Sequence, residues 1–342
     1  MRFLITGHTG FKGAWLSVWL HHLGHEVHGL ALDPDRHGLF GLGQVHDLLR
    51  SDVRKDIRDA ASVAGVVDDV RPDVVIHLAA QPLVRQSYVD PRETMETNVL
   101  GTLNVLEAVR AESDIRAVLI VTTDKVYRNV NQVWGYRESD PLGGHDPYSA
   151  SKAMADLLTD SWRSSFPGPP MATARAGNVI GGGDSSPDRL LPDLMRAYSA
   201  GRSPQLRYPT AVRPWQHVLD CLNGYLILVD ALLNNTGEGT WNFGPGVDSF
   251  RTVAEVNDQV AAAYGASAEY AVLAEPPHEA QLLALDATKA RLQLGWRDVL
   301  SFHEAVSWTV QWTQRVASGE DARGLAVEQI KQFVARVNPR AD

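Results

Sequence analysis

The stretch LITGHTGFKGAWL, Leu4–Leu16, decides the fold. Its first residues close an apolar, β-branched run, RFLIT, and its last residues open a run of helical period, AWLSVWLHHLG. Between them Gly7, Gly10 and Gly13 stand at GxxGxxG spacing. Glycine allows unusual backbone angles in the turn, lets main-chain N–H groups approach a pyrophosphate, and permits close packing of helix on strand. Three glycines alone would fit a plain tight turn. A strand directly before and a helix directly after make the stretch a dinucleotide-binding loop, with Phe11 and Lys12 as further predicted cofactor contacts.

Working outward, the same grammar repeats. Strand-like runs EVHGLAL, PDVVIHLAA, AVLIVTT and ATARAGNVI alternate with helical stretches, PRETMETNVLGTLNVLEAVRAES and PYSASKAMADLLTDSWRSS among them. Such alternation predicts an α/β, Rossmann-type doubly wound parallel sheet, covered on both faces. After Ile180 the regularity ends in GGGDSSPDRLLP. We therefore expect a dinucleotide-binding domain over 1–180, with 213–247 returning to it, and a smaller α/β substrate-binding lobe built from 181–212 and 248–342.

Composition bounds the function. In 342 residues, 44% are hydrophobic and 21% charged, as in a folded soluble protein. Acidic residues outnumber basic ones, 41 to 32, and the formal charge of −9 opposes a broad surface for nucleic acid. A lone cysteine, Cys221, excludes an intrachain disulfide and a Cys-rich zinc site, and no histidine cluster has metal spacing. The N-terminal run is interrupted by Gly7, His8 and Lys12 before a signal-peptide core forms, and nothing approaches the ~20 apolar residues of a membrane span. A cytoplasmic protein is expected.

The acid that reads a ribose belongs near the end of the second strand. Asp33 in LALDPD is the candidate, with Arg36 near enough to meet a 2′-phosphate; NAD is favoured over NADP. Asp56 and Ile57 in KDIRD are placed to touch adenine, although a solvated turn also fits them. Ala79 and Ala80, at the end of the fourth strand, complete the predicted cofactor set.

PYSASK sets Tyr148 and Lys152 four residues apart on one helix face. An ammonium beside a phenol favours the phenolate, so Tyr148 can take an alcohol proton while hydride leaves for a nicotinamide. Thr123, at the end of AVLIVTT, can hydrogen-bond the same substrate oxygen. These three suffice for reversible alcohol oxidation but leave Asp124 and Lys125 unexplained. A surface ion pair would account for them as well as an active site would.

GHTGFKGAWLSVWL, HLAAQPLVRQSY, TNVLGTLNVLEAV, TTDKVY, WGYRE, DPYSASK, RAGNVIGGGD, RPWQHV and WNFGP together resemble the extended short-chain dehydrogenase/reductases, and within them the 4,6-dehydratases of CDP-glucose. The likeness runs from residue 3 to about 250 and resumes at PPHEA and LGW. It implies a nucleotide-diphosphate sugar as substrate, oxidised at C4, dehydrated across C5 and C6 and reduced at C6 with recycled NAD, and a homodimer or dimer of dimers. It makes Asp124 the acid for the departing C6 hydroxyl. Lys125 stands where relatives acting on other sugars carry a glutamate base. Asp124 must be protonated, which burial favours and a cationic Lys125 opposes. Whether Lys125 takes the C5 proton or steadies the enolate as a cation stays open.

By the same resemblance Arg213 in RPWQHV and Asn178 in RAGNV hold the diphosphate. Arg189 in PDRL fits either that role or a helix-surface charge. Gln81, Arg85 and Ser87 fall near nicotinamide and sugar, Asn98 ties its helix to the sheet or cofactor, and His278 and Glu279 in PPHEA are expected at the nucleotide. Trp134 and Tyr136 in WGYRE fit the sugar site or the core. The chain departs from the pattern after GGGD, where Ser185 and Ser186 replace a frequent aromatic. Two rival readings remain: a nucleotide-sugar epimerase or dehydrogenase using Thr123, Tyr148 and Lys152 alone, and a non-catalytic dinucleotide sensor.

Overall fold

The computed structural model describes residues 1–273 and 282–337. Its first half alternates as the sequence predicts: β1 (Arg2–Thr6), α1 (Phe11–His22), β2 (Glu26–Ala31), the short α2 (Leu39–Leu42), β3 (Ser51–Arg54), α3 (Ala60–Val70) and β4 (Val74–His77). Three helical pieces follow, α4 (Val84–Val89), α5 (Pro91–Met95) and α6 (Gly101–Ala111), the last two joined through a π-type turn at Glu96–Leu100. Next come β5 (Ala117–Val121), α7 (Pro147–Ser165) and β6 (Met171–Ala176).

These six strands and β10 (Gly239–Phe243) form one parallel sheet in the order β10-β6-β5-β4-β1-β2-β3. The chain leaves β1 toward β2 and returns to its other side with β4, so the strand order reverses beside the glycine loop. A crevice opens at such a reversal, outside the carboxyl ends of the strands. Side-chain alternation divides the core in two. Phe3, Ile5, Val74, Ile76, Leu119 and Val121 point to the face covered by α1 and α9 (Val218–Leu233), while Leu4, Val75, Val118 and Ile120 point to the face covered by α3 and α6.

The run ATARAGNVI is two strands rather than one. It breaks at Gly177, after which β7 (Asn178–Ile180) leaves the large sheet and pairs with β9 (Val212–His217), itself paired with β11 (Phe250–Thr252). A Cβ at Gly177 would sit 3.1 Å from Asp124 Oδ2 and 3.5 Å from Pro214, so the break brings the chain close against the reacting strand end. A third core gathers around α8 (Leu190–Ser199), α10 (Val253–Ala263) and the first half of α12 (Phe302–Ala317), with Leu191, Leu194, Trp215, Val256, Phe302 and Val306 buried together. The two-residue β8 (Gln205–Leu206) and β12 (Ala271–Val272) pair beside it. α11 (Thr288–Gln293) lies against β10, and α13 (Ala322–Val337) packs on α1. Among the described residues no helix is long and apolar enough to cross a membrane.

Candidate active site

The carboxyl ends of β1, β4 and β5 and the segments 177–215 enclose a cleft of about 2000 Å³. Sites for one small ligand occupy roughly 300–1,000 Å³, so this volume suits two ligands side by side.

One end is built from backbone. Gly7 adopts φ +76° and donates its N–H to Leu30 O at 2.8 Å, and a Cβ there would lie 2.6 Å from Ala79 N. A Cβ at Gly13 would lie 2.2 Å from Gly7 O. No side chain fits either position, so the loop folds tightly over the first turn of α1 and leaves that helix end open to an anionic group. Phe11, Lys12, Asp56, Ile57, Ala79 and Ala80 all line the cleft beside it. Asp56 is held below the usual carboxylate range by Arg58, whose Nη2 is 2.6 Å away. The shape and the donor set fit a dinucleotide. Asp33 differs from expectation: β2 ends at Ala31, and the exposed Asp33 and Arg36 stand outside the cleft lining while Leu32 joins it. The chain turns away at Pro34 toward an Asp35–His37 turn, which carries both side chains outward.

At the centre lie Thr123, Asp124, Lys125, Tyr148 and Lys152, together in the lining. Asp146 caps α7 by accepting from Ser149 N at 2.9 Å, which starts the helix one turn before Lys152. Tyr148 hydrogen-bonds the Thr123 hydroxyl, and burial pushes its phenol up to about 12. Thr123 and Arg189 oppose that rise, and Lys152 donates to Val121 O at 2.9 Å. Lys152 is itself lowered to about 8 by burial and by Lys12, whose Nζ donates to the Tyr225 hydroxyl at 3.1 Å.

Asp124 is 3% exposed. Burial raises its pKa against the opposing pull of Lys125, Thr123 and Arg213. Its Oδ1 accepts from Thr123 at 2.9 Å, whereas the buried Oδ2 has no hydrogen-bond partner. An unpartnered buried carboxylate oxygen is costly. Protonated and facing a substrate hydroxyl, the same oxygen becomes a donor placed for acid catalysis.

The far end carries arginines. Arg213 is buried in β9, across from Arg251 in β11, and Asn178 in β7 pairs with Trp215 two residues along the same strand; Arg213 and Asn178 both line the cleft. Arg189 faces Asp184 at 3.3 Å, and Arg85 meets Asp188 at 2.6 Å. Arg85, Asp184, Asp188 and Arg189 line the cleft together with Arg207, whose Nη2 donates to Asp188 O at 2.8 Å.

Other expected contacts lie elsewhere. Gln81 bonds Leu83 and Thr94, and Ser87 donates to Val84 O at 2.6 Å, so both hold backbone and neither lines the cleft. Asn98, at the π-type turn, accepts from Gln81 N and donates to Ser151 Oγ, tying its helix to the β4 loop and to α7. Trp134 is exposed, and Tyr136 stacks on Tyr127 at 5.2 Å in the core. His278 and Glu279 lie outside the described residues. Sequence reasoning missed Asp156 and Arg175, a buried ion pair at 2.7 Å behind the catalytic strand end. The i, i+4 spacing of Asp156 from Lys152 was the available signal.

A profile of the GDP-mannose 4,6-dehydratase family matches residues 4–309. The chain is 41% identical to a CDP-glucose 4,6-dehydratase of Salmonella typhimurium, over 98% of this chain and 96% of that one. It is 30% identical to a probable dTDP-glucose 4,6-dehydratase of Sinorhizobium fredii, over 91% and 92%. Among solved structures, a dTDP-glucose 4,6-dehydratase from Streptomyces venezuelae with NAD bound superposes with a TM-score of 0.82 at 27% identity, covering 94% of this chain and all of that one. A UDP-glucose 4-epimerase from Thermus thermophilus, also with NAD, gives 0.78 at 27% identity, over 91% and 98%. Fold likeness thus spans epimerases and dehydratases alike, whereas the sequence match and the buried acid side with the second, and the chain belongs to the GDP-mannose 4,6-dehydratase family of nucleotide-sugar enzymes.

Proposed function

We propose that the protein converts CDP-glucose to its 4-keto-6-deoxy product, with NAD kept at the site and regenerated in each turnover. The observation that carries this reading is Asp124, buried beside the Thr123–Tyr148 pair with one carboxyl oxygen unpartnered and its pKa raised. An epimerase has no use for an acid at that point; elimination of the C6 hydroxyl needs one.

When bound, NAD supplies the hydride acceptor for C4 oxidation and the donor for C6 reduction. Tyr148 takes the C4 hydroxyl proton while Thr123 holds the same oxygen, and Lys152, which here bonds Val121 O, turns its ammonium to the phenol to favour the phenolate that must form. A C4 ketone acidifies the C5 proton. Asp124 then gives its proton to the leaving C6 hydroxyl. Lys125, half-buried beside it, either accepts the C5 proton or steadies the enolate charge. Arg213, Arg189 and Asn178 grip the diphosphate, in keeping with arginine's fit to phosphate oxygens. Asp33 stays the proposed ribose contact only if the 33–37 turn moves inward on binding.

We further propose that residues 181–212 and 248–342 supply the substrate lobe, with α11 and α13 of that range packed back on the sheet domain, and that two subunits pair through α6 and α7. Leu100, in the π-type turn that enters α6, and Met154 and Leu157 on α7 are 50%, 47% and 56% exposed, an apolar surface that a second copy would cover. Light scattering tests the pairing: a monomer, or a dimer unaffected by Leu157→Glu, contradicts it. A cytoplasmic setting accords with the unpaired Cys221.

The test of function is to incubate the purified protein with CDP-glucose and NAD and follow products by mass. Loss of one water without net NAD reduction is the expected result. Epimerised sugar of unchanged mass would favour the epimerase reading, and loss of water only from a UDP-, dTDP- or GDP-sugar would keep the mechanism and move the substrate.

A further inference from the structure

Behind the reacting strand end lies a buried charge cluster that the chemistry above does not use. Asp156 sits on α7 one turn beyond Lys152, and Arg175 stands near the end of β6; their side chains are 2% and 3% exposed. Arg175 Nε and Nη2 donate to the two Asp156 oxygens at 2.8 and 2.7 Å. The Thr122 hydroxyl donates to the same carboxylate at 2.9 Å. On the other side Arg175 Nη1 donates to the Tyr127 hydroxyl at 2.6 Å, which donates to Asn242 Oδ1 at 2.7 Å. Thr122 and Tyr127 flank the catalytic segment Thr123–Lys125 on either side. One continuous chain of charge-assisted bonds therefore grips both flanks of that segment.

A buried ion pair is a poor device for stability alone, since well-packed apolar residues of similar volume often serve as well. What it adds is direction, because a bidentate guanidinium–carboxylate pair fixes angles as well as distances. We propose that Asp156 is a positioning residue for the dehydration, acting through Thr122 on one side and through Arg175 and Tyr127 on the other to fix Thr123, Asp124 and Lys125 against the substrate. The proposal rests on reading the cleft as a dehydratase site.

The same carboxylate also faces the catalytic lysine. The charges that act on the Lys152 ammonium are Asp156 on its own helix and Lys12 on α1, and Lys152 in turn lowers His77 on β4. Burial and Lys12 lower the lysine, and Asp156 is the group that raises it. Removing the Asp156 charge should therefore let Lys152 lose its proton at lower pH.

Two measurements test this. Thr122→Val and Tyr127→Phe each delete one hydroxyl of the chain and leave the ion pair in place. Small misplacements of a catalytic group cost up to about a hundredfold in rate, so kcat for dehydration should fall by about that much while KM moves by less than about threefold. Reduced cofactor should accumulate, because Asp124 lies at the centre of the held segment. Wild-type kcat in both variants, or losses that merely follow lowered melting temperature, overturns the proposal. The second measurement needs no substrate: competitive acetylation of Lys152 across pH, read by mass spectrometry, in wild type and Asp156→Asn. A titration moved to lower pH shows the Asp156 charge reaching the catalytic centre and supports the proposal; the two hydroxyl variants are what can overturn it. If Asp156→Asn does not fold, the two hydroxyl variants decide. Failure of the dehydratase reading would appear differently, as a wild-type protein that removes water from no nucleotide sugar while the acetylation result still stands.

Discussion

The two ends of the cleft are made from different materials. The glycine end is backbone: Gly7 and Gly13 have no room for a Cβ, and the loop geometry follows from sterics alone. The arginine end is side chain: Arg85 with Asp188 and Arg189 with Asp184 are paired across loops, and Asp188 holds a left-handed φ of +60°. A backbone cradle is rigid before its ligand arrives. Paired arginines must exchange a carboxylate for a phosphate, so that end adapts and selects. Between them stands the reacting group, where burial rather than pairing sets the proton affinities of Asp124 and Tyr148.

The contrast can be broken from either side. Tyr148→Phe, at the junction, should have the largest effect, a loss of roughly 10²–10⁴ in kcat, as for removal of a general base, with binding of NAD and sugar nucleotide retained in calorimetry. Gly13→Val should abolish dinucleotide binding, because the new Cβ collides with backbone that cannot yield; retained NAD affinity would contradict the cradle. At the arginine end Arg213→Gln should raise KM by about 10–100-fold with a smaller change in kcat, the worth of one hydrogen bond to a charged group. Arg85→Ala should change kcat/KM least, by less than about fivefold, since its ion pair with Asp188 is over half exposed on the arginine side. Its pH dependence separates the junction from both ends. Elimination requires protonated Asp124, so its rate should fall as pH rises through that raised pKa, while nucleotide affinity stays level over the same range.

The same contrast explains what the sequence could reveal. The glycine end was legible because spacing, strand and helix all point one way, and Gly7 at φ +76° realises the turn that GxxGxxG implies. Tyr148 and Lys152 were legible as an i, i+4 pair. What sets their proton affinities was not, because burial governs both the phenol and the ammonium, and burial comes from the fold rather than from spacing. The arginine end was legible only as residue types: nothing in PDRL or AAQPLVR says that Asp184 and Asp188 partner them, since those contacts join residues 5 and 103 positions apart through loop geometry. Asp33 shows the limit at the other end. Spacing placed an acid near the strand end, but a proline turn carries it outward, and Leu32 meets the cleft in its place.

The account turns on Asp124 as the acid of elimination, and its most direct test is a single-turnover reaction of Asp124→Asn with CDP-glucose, following NADH absorbance and product mass together. C4 oxidation should proceed, and reduced cofactor and a 4-keto sugar that still carries its C6 hydroxyl should build up. Equal slowing of oxidation and elimination, with no such build-up, would contradict it.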